Sequence, residues 1–374
     1  MQNQKKQYYT QLDSLRAIAV IGVFVSHWIP LDIVKKMGFG FWGVNLFFVL
    51  SGFLITEILL KEIKSGKPAQ QILKSFYYRR ILRIFPIYYL VVVLAFIFNL
   101  DQSRDFSFYT FTYTLNIYNS VTGDIGLYLS HIWSLCVEEQ FYLLWPFLLM
   151  LVKPRYHLQL IIATIIGAVA FRLFLYTIDF SNHSIYNYRM MPACMDALGL
   201  GGLLAYLKLY KPAILNTILK FSLLSILPII LYLFIEFSKK ENLPFWANES
   251  LLRTLASLVS FFAIGKAIFG YKNWIGTFLE MNCMQYLGKI SYGLYLYHLI
   301  ISTLLINSLE SFIKTNILQF VPEIFKYNLY VFTAPVYFLL TVAVASLSYY
   351  IIEKPFLKLK DKYNFKWIPE LNSA

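Results

Sequence analysis

Apolar residues run in ten long stretches along this chain, separated by short segments that hold most of the lysines and arginines. The stretches cover roughly 12–31, 38–60, 81–100, 131–152, 157–178, 190–209, 214–237, 250–270, 285–307 and 328–352. Each approaches or exceeds the roughly 20 residues that an α-helix needs to cross a bilayer. The pattern predicts an all-α, polytopic integral membrane protein with about ten transmembrane helices and no soluble domain. A single membrane domain is expected over 1–374, with its core at about 10–357 and a short cytoplasmic tail at 358–374. Lys5 and Lys6 precede the first stretch, but its apolar run is too long for a cleaved signal. Its Ala-x-Ala, Ala17–Ala19, lies at its beginning rather than after it.

Composition removes the other classes. Charged residues are 14% of the chain, against about 25% in soluble domains, and hydrophobic residues are 58%. Disorder needs the opposite balance. Three Cys residues, at 136, 194 and 283, make no disulfide framework and have no metal-ligand spacing, so no metal is expected. The net charge of +13 first suggests nucleic acid, but its distribution points to a membrane instead. With the N-terminus inside, 21 Lys/Arg fall on the cytoplasmic side, 9 fall outside and 3 lie within spans. By the positive-inside rule both termini are cytoplasmic, and no nucleic-acid partner is required.

Ionisable groups within the spans are costly, so each is a candidate for function. Arg16 and His27 share one face of the first span, about 16 Å apart along its axis. An Arg snorkelling to the headgroups and a His at the outer interface would also account for the pair. Asn45, Ser51 and Gly52 interrupt an aromatic second span. Arg79, Arg80 and Arg83 lead into the third, and Arg80 and Arg83 sit one turn apart. Arginine forks match phosphate oxygens, although positive-inside bias alone also places arginines there. The fourth span opens with His131, Trp133 and Ser134 and carries the adjacent carboxylates Glu138 and Glu139. Seven residues apart, His131 and Glu138 lie on nearly one face. Arg189 and Asp196 at the start of span six, and His298 in span nine, belong to the same outer half. Their common depth predicts one polar cavity reached from outside, with Glu138 near the level of His27.

In this order, these segments resemble the acyltransferase 3 family of integral-membrane O-acyltransferases. Leu12 to Val20 is similar to the family's opening motif, and His27 completes its Arg-x10-His spacing. Gly43 to Thr56 resembles the span-two signature, with Asn45 where Asp is common. Arg80-x-x-Arg83 is similar to the family's Arg-x-x-Arg. His131 to Pro146 resembles its Trp-Ser-x-x-x-Glu-Glu-Gln-Phe-Tyr block, with Cys136 where Ser is usual. Ser291 to His298 and Glu353 to Phe356 resemble its late motifs.

The resemblance implies transfer of an acyl group, usually acetyl, from cytosolic acyl-CoA to a hydroxyl of a cell-surface polysaccharide or lipid-linked sugar. It implies a multi-pass protein of a bacterial-type cytoplasmic membrane, with acyl-CoA as a donor substrate and no permanently bound cofactor. Arg80 and Arg83, helped by Arg79 and Arg16, would hold the CoA phosphates. His27 would take the acceptor proton, with Glu138 orienting its ring and Glu139 binding acceptor hydroxyls or locking span four through Arg189. Asn45, His131, Trp133, Ser134, Arg189, Asp196 and His298 would line the acceptor side. A covalent route, with His27 accepting the acyl group first, stays open. The hydrolase-like extracellular domain of some members is not expected here, which leaves room for a separate extracytoplasmic transferase as a partner. A transporter or channel would use the same charges as a proton or solute path, but the inverted repeat that would favour it is not evident.

Overall fold

The computed structural model describes residues 9–123, 126–177, 188–238, 251–320 and 328–362, and among them there is no strand. Lipid offers no hydrogen-bond partner to the backbone, so each spanning segment must satisfy its own N–H and C=O groups, as a helix does. Lys5, Lys6, Lys239, Lys240, Lys326 and Lys366 of the charge count, and the tail beyond Lys362, lie outside the described residues.

The chain opens with α1 (Thr10–Trp28), the short α2 (Asp32–Met37) and α3 (Phe39–Lys64). It continues through α4 (Ala69–Phe98), two short helices α5 (Ser107–Phe111) and α6 (Leu115–Thr122), then α7 (Ile132–Leu151) and α8 (His157–Thr177). Next come α9 (Met191–Tyr210), α10 (Pro212–Leu223), α11 (Ile226–Ser238) and α12 (Leu252–Phe269). The last group is α13 (Trp274–Leu279), α14 (Asn282–Lys289), α15 (Ser291–Asn316), α16 (Tyr330–Ser348), a π-helical turn (Tyr349–Glu353) and α17 (Lys354–Lys362).

All ten apolar stretches fall on helix among the described residues. Among the described residues, eight segments are long and apolar enough to cross a membrane. The two predicted spans outside that set are α1 and α9. Both have the length, at 19 and 20 residues, but polar and small side chains dilute them. They can carry such residues because they pack inside the bundle, α1 and α9 lying on either side of α3. The apolar window of α3 is 78% buried, whereas that of α8 is 22% buried and meets the surroundings.

Boundaries differ from expectation in four places. Helix α4 begins at Ala69, well before 81, because Ala69–Phe76 is polar enough to escape an apolar scan yet still forms helix. The seventh stretch divides between α10 and α11 at Leu224–Ser225. Pro228 has no N–H for the Leu224 carbonyl, which accepts from the Leu227 N–H at 3.1 Å instead. The ninth stretch divides at Ile290 into α14, which packs on α1, and α15. Past 352 the chain stays helical to Lys362, so the expected tail begins as helix.

Close approach of α3 to α9 is built on glycine. A β-carbon at Gly52 would overlap the Leu198 carbonyl, and one at Gly201 would overlap the Val49 carbonyl. Without these side chains the two backbones meet directly, the usual way helices associate where no hydrophobic effect drives them together.

Candidate active site

A cavity of ≈ 100 Å³ opens between α1, α3, α4, α7 and α15. Arg16, Arg80 and Arg83 line it together with Glu138, Glu139 and Ser134. The guanidinium of Arg80 lies between two rings, 5.7 Å from Phe76 and 5.0 Å from Tyr142. Arg16 is ion-paired with Asp13 one turn back on α1. A neighbouring cavity of ≈ 80 Å³ is bounded by Arg79, Arg80, Arg83 and Glu62, so Arg80 and Arg83 form the wall between the two.

Helical spacing explains how Glu138 is held. Tyr142 is four residues on, and its hydroxyl donates to Glu138 Oε2 at 2.9 Å. Ser51 of α3 donates to Oε1 at 3.0 Å. Glu139 points about 100° away around α7, reaches the same cavity, and has no hydrogen-bond partner among the described residues. Next along, Gln140 donates to the Tyr113 carbonyl at 2.9 Å and to Asn116 Oδ1 at 2.8 Å, tying α7 to α6 and to the residue pair before it.

The cavity ends at Ser134 and Tyr295. Their hydroxyls are 2.6 Å apart, and both reach the His131 carbonyl, at 3.2 and 3.1 Å. Beyond this pair stand three histidines. His298 is fully buried, and its Nε2 lies 3.1 Å from Nδ1 of His27, which is exposed. His131 stacks edge-on to His298 with ring centroids 4.8 Å apart.

Over residues 9–351 the sequence matches the model of the acyltransferase domain family. The chain belongs to this acyltransferase family. Peptidoglycan O-acetyltransferase OatA of Listeria monocytogenes is 30% identical to it over 400 residues, covering 97% of this chain and 59% of the relative. O-acetyltransferase OatA of Staphylococcus aureus (strain MRSA252) is 28% identical over 393 residues, covering 98% and 60%. The chain thus spans about three fifths of the length of the curated relatives it matches. No solved structure matches the chain.

The chain divides its polar residues differently from the single outer cavity expected of them. Arg16, Arg80, Arg83, Ser134, Glu138 and Glu139 share the first cavity, and Arg79 borders the second. Glu138 bonds to Ser51 and Tyr142, and the ring beside His27 is His298. Arg189 and Glu139 do not pair; Arg189 lies over the Trp133 ring at 5.9 Å. Trp133 in turn packs on Tyr188 with ring centroids 4.9 Å apart. Asn45 donates to the Phe41 carbonyl at 2.8 Å and offers its oxygen to Ser257 and Arg253 at 3.4 and 3.5 Å.

Asp196 lies in neither cavity. It is fully buried in an ion pair with Arg172 at 2.8 Å and accepts from Thr254 at 2.6 Å, joining α8, α9 and α12.

Several residues escaped the reading of the sequence. Arg253, counted among the nine outer cations, is buried against Tyr188 and Phe41. Tyr142 carried a usable signal, its four-residue spacing from Glu138. Tyr295 gave none, because one tyrosine in an aromatic helix resembles the next.

Proposed function

We propose that this chain transfers an acyl group, most simply acetyl, from cytosolic acyl-CoA to a hydroxyl of a cell-surface glycan or lipid-linked sugar. The observation that carries the reading is the cavity: three arginines and two glutamates line one passage that ends one residue layer from His27 and His298. The peptidoglycan activity in the name of the Listeria relative supports a cell-wall glycan as acceptor.

In this reading the arginine end faces the cytoplasm and holds the CoA phosphates. Arg80 and Arg83 supply bidentate forks, with Arg79 and Arg16 adding charge. The pantetheine arm runs along the cavity and brings the thioester to the Ser134–Tyr295 pair. His27 takes the proton of the acceptor hydroxyl as that oxygen attacks the thioester carbonyl. The C–O bond of the new ester forms, the C–S bond breaks, and the proton passes to the departing thiolate. Glu138, held by Ser51 and Tyr142, sets the charge facing Arg80, and Glu139 is free to meet a donor or acceptor N–H or O–H. Trp133 and Arg189 offer an aromatic and cationic surface for the sugar on the far side, where a separate extracytoplasmic transferase could take the product.

The test is thioester turnover by the purified protein in lipid, with acetyl-CoA and a glycan acceptor. His27→Ala should lower turnover by about 100-fold or more, the scale of a lost general base, while acetyl-CoA still binds. Acceptor movement across the membrane without consumption of thioester would overturn the reading in favour of transport. Comparing the glycans of a deletion strain and its parent by mass spectrometry would identify the acceptor.

A further inference from the structure

We infer that His298 is a positioning residue for the transfer, fixing the tautomer of His27 so that its Nε2 lone pair meets the acceptor hydroxyl. This rests on the reading of His27 as the base.

The direction of the hydrogen bonds follows from what each atom can do. Nδ1 of His298 lies 2.7 Å from the Tyr295 carbonyl oxygen. A carbonyl only accepts, so this Nδ1 carries the proton. In a neutral imidazole the other nitrogen then holds a lone pair. That nitrogen, Nε2, lies 3.1 Å from His27 Nδ1, so the His27 Nδ1 must donate. His27 is left with a bare Nε2, on a ring that is itself exposed while His298 is fully buried.

The surroundings keep this order. His298 is packed by Phe24 and Trp28 of α1, by His131 of α7 and by Tyr295 of its own helix. No ion pair among the described residues includes His27, His131 or His298, so a doubly protonated His298 would have no counter-charge beside it. His131 cannot reverse the chain, because its Nε2 faces the Leu296 carbonyl at 3.1 Å. That carbonyl makes Nε2 the protonated nitrogen and leaves the buried Nδ1 with no proton to give and no partner. Two consecutive carbonyls of α15, Tyr295 and Leu296, therefore set the tautomers of two rings, and His298 passes the setting to the third, beside the Val23 carbonyl that also bonds the His27 ring from one turn back on α1.

The test pairs two variants with a spectrum of the unaltered protein. His298→Leu should lower kcat by about 100-fold, the scale of general-base catalysis, with KM for acetyl-CoA unchanged. His298→Gln places an amide oxygen near the lost Nε2, accepts from His27 Nδ1, and should recover about tenfold or more of that loss. Nitrogen NMR of protein labelled with 15N-histidine, in lipid, should find His27 protonated at Nδ1 and bare at Nε2; its signals are assigned by their loss in His27→Ala. The inference is overturned if the spectrum shows the opposite tautomer, if His298→Leu keeps full kcat, or if His298→Gln is no better than His298→Leu. The base reading itself fails separately, and takes this inference with it, if His27→Ala retains full turnover.

Discussion

Arg80 illustrates what a single side chain contributes here. It is wedged between Phe76 and Tyr142 and forms part of the wall between the two cavities. A lysine keeps the charge but loses both the planar stack and the two-pronged hydrogen bond. Arg80→Lys should therefore raise the Kd for acetyl-CoA about tenfold, near 1.4 kcal/mol, as titration calorimetry would read. Arg83→Lys should do the same through the fork alone, because Arg83 is exposed. An unchanged affinity in both would remove these arginines from the donor site. At this scale the sequence picked out the polar side chains but not their directions. Residue spacing predicted one level for Glu138, His27 and His298, whereas Glu138 lines the cavity with Arg16, Arg80 and Arg83 and the two histidines meet outside it. Spacing could not tell which helix each side chain turns toward, because that depends on how ten helices are rotated against one another. Glu138 therefore faces Ser51 and the arginines, and the neighbour of His27 is His298 from the far end of the chain.

Among the elements, α3 and α9 meet backbone to backbone at two glycines. An alanine at Gly52 or Gly201 must push a helix backbone away, and overpacking of this kind costs about 1–3 kcal/mol. A methyl group added at Gly167 of α8 would meet nothing within 4 Å, so alanine there should be neutral or stabilise by up to about 1 kcal/mol through helix propensity. Thermal unfolding in detergent should separate the first two variants from the third; equal midpoints for all would mean that the α3–α9 contact is looser than described. The long helices were legible because apolarity over a bilayer's thickness is a strong signal. Their interruptions at Leu224–Ser225 and Ile290 were not, because an apolar average does not register a lost backbone hydrogen bond. The short α5 and α6 escaped for a related reason: each is too brief to produce a period.

The whole molecule has one end where α3 finishes, α4 starts, and α13 and α14 pack on the beginning of α1. There Gln11 donates to Glu280 at 2.9 Å, and Gly288 lies against the Asp13 backbone. The positive-inside rule predicts that this end faces the cytoplasm, and the protein carries its own reporter. Cys136 and Cys194 are buried, whereas Cys283 of α14 is exposed. A membrane-impermeant maleimide should leave Cys283 unlabelled in intact cells and label it once the membrane is opened. Labelling from outside would invert the molecule and with it the donor side. The hydroxyl pair that closes the cavity has a further consequence for the chemistry of water. An activated thioester held beside a base is open to hydrolysis whenever no sugar is present. In the proposed reading Ser134 and Tyr295 lie between the thioester and His27 and limit the access of water until the acceptor hydroxyl arrives. Removing the barrier with Tyr295→Ala should turn a transferase into a slow thioesterase, releasing free acetate and CoA without any acceptor. An acceptor-free acetate assay should find that leak in the variant and little of it in the parent protein.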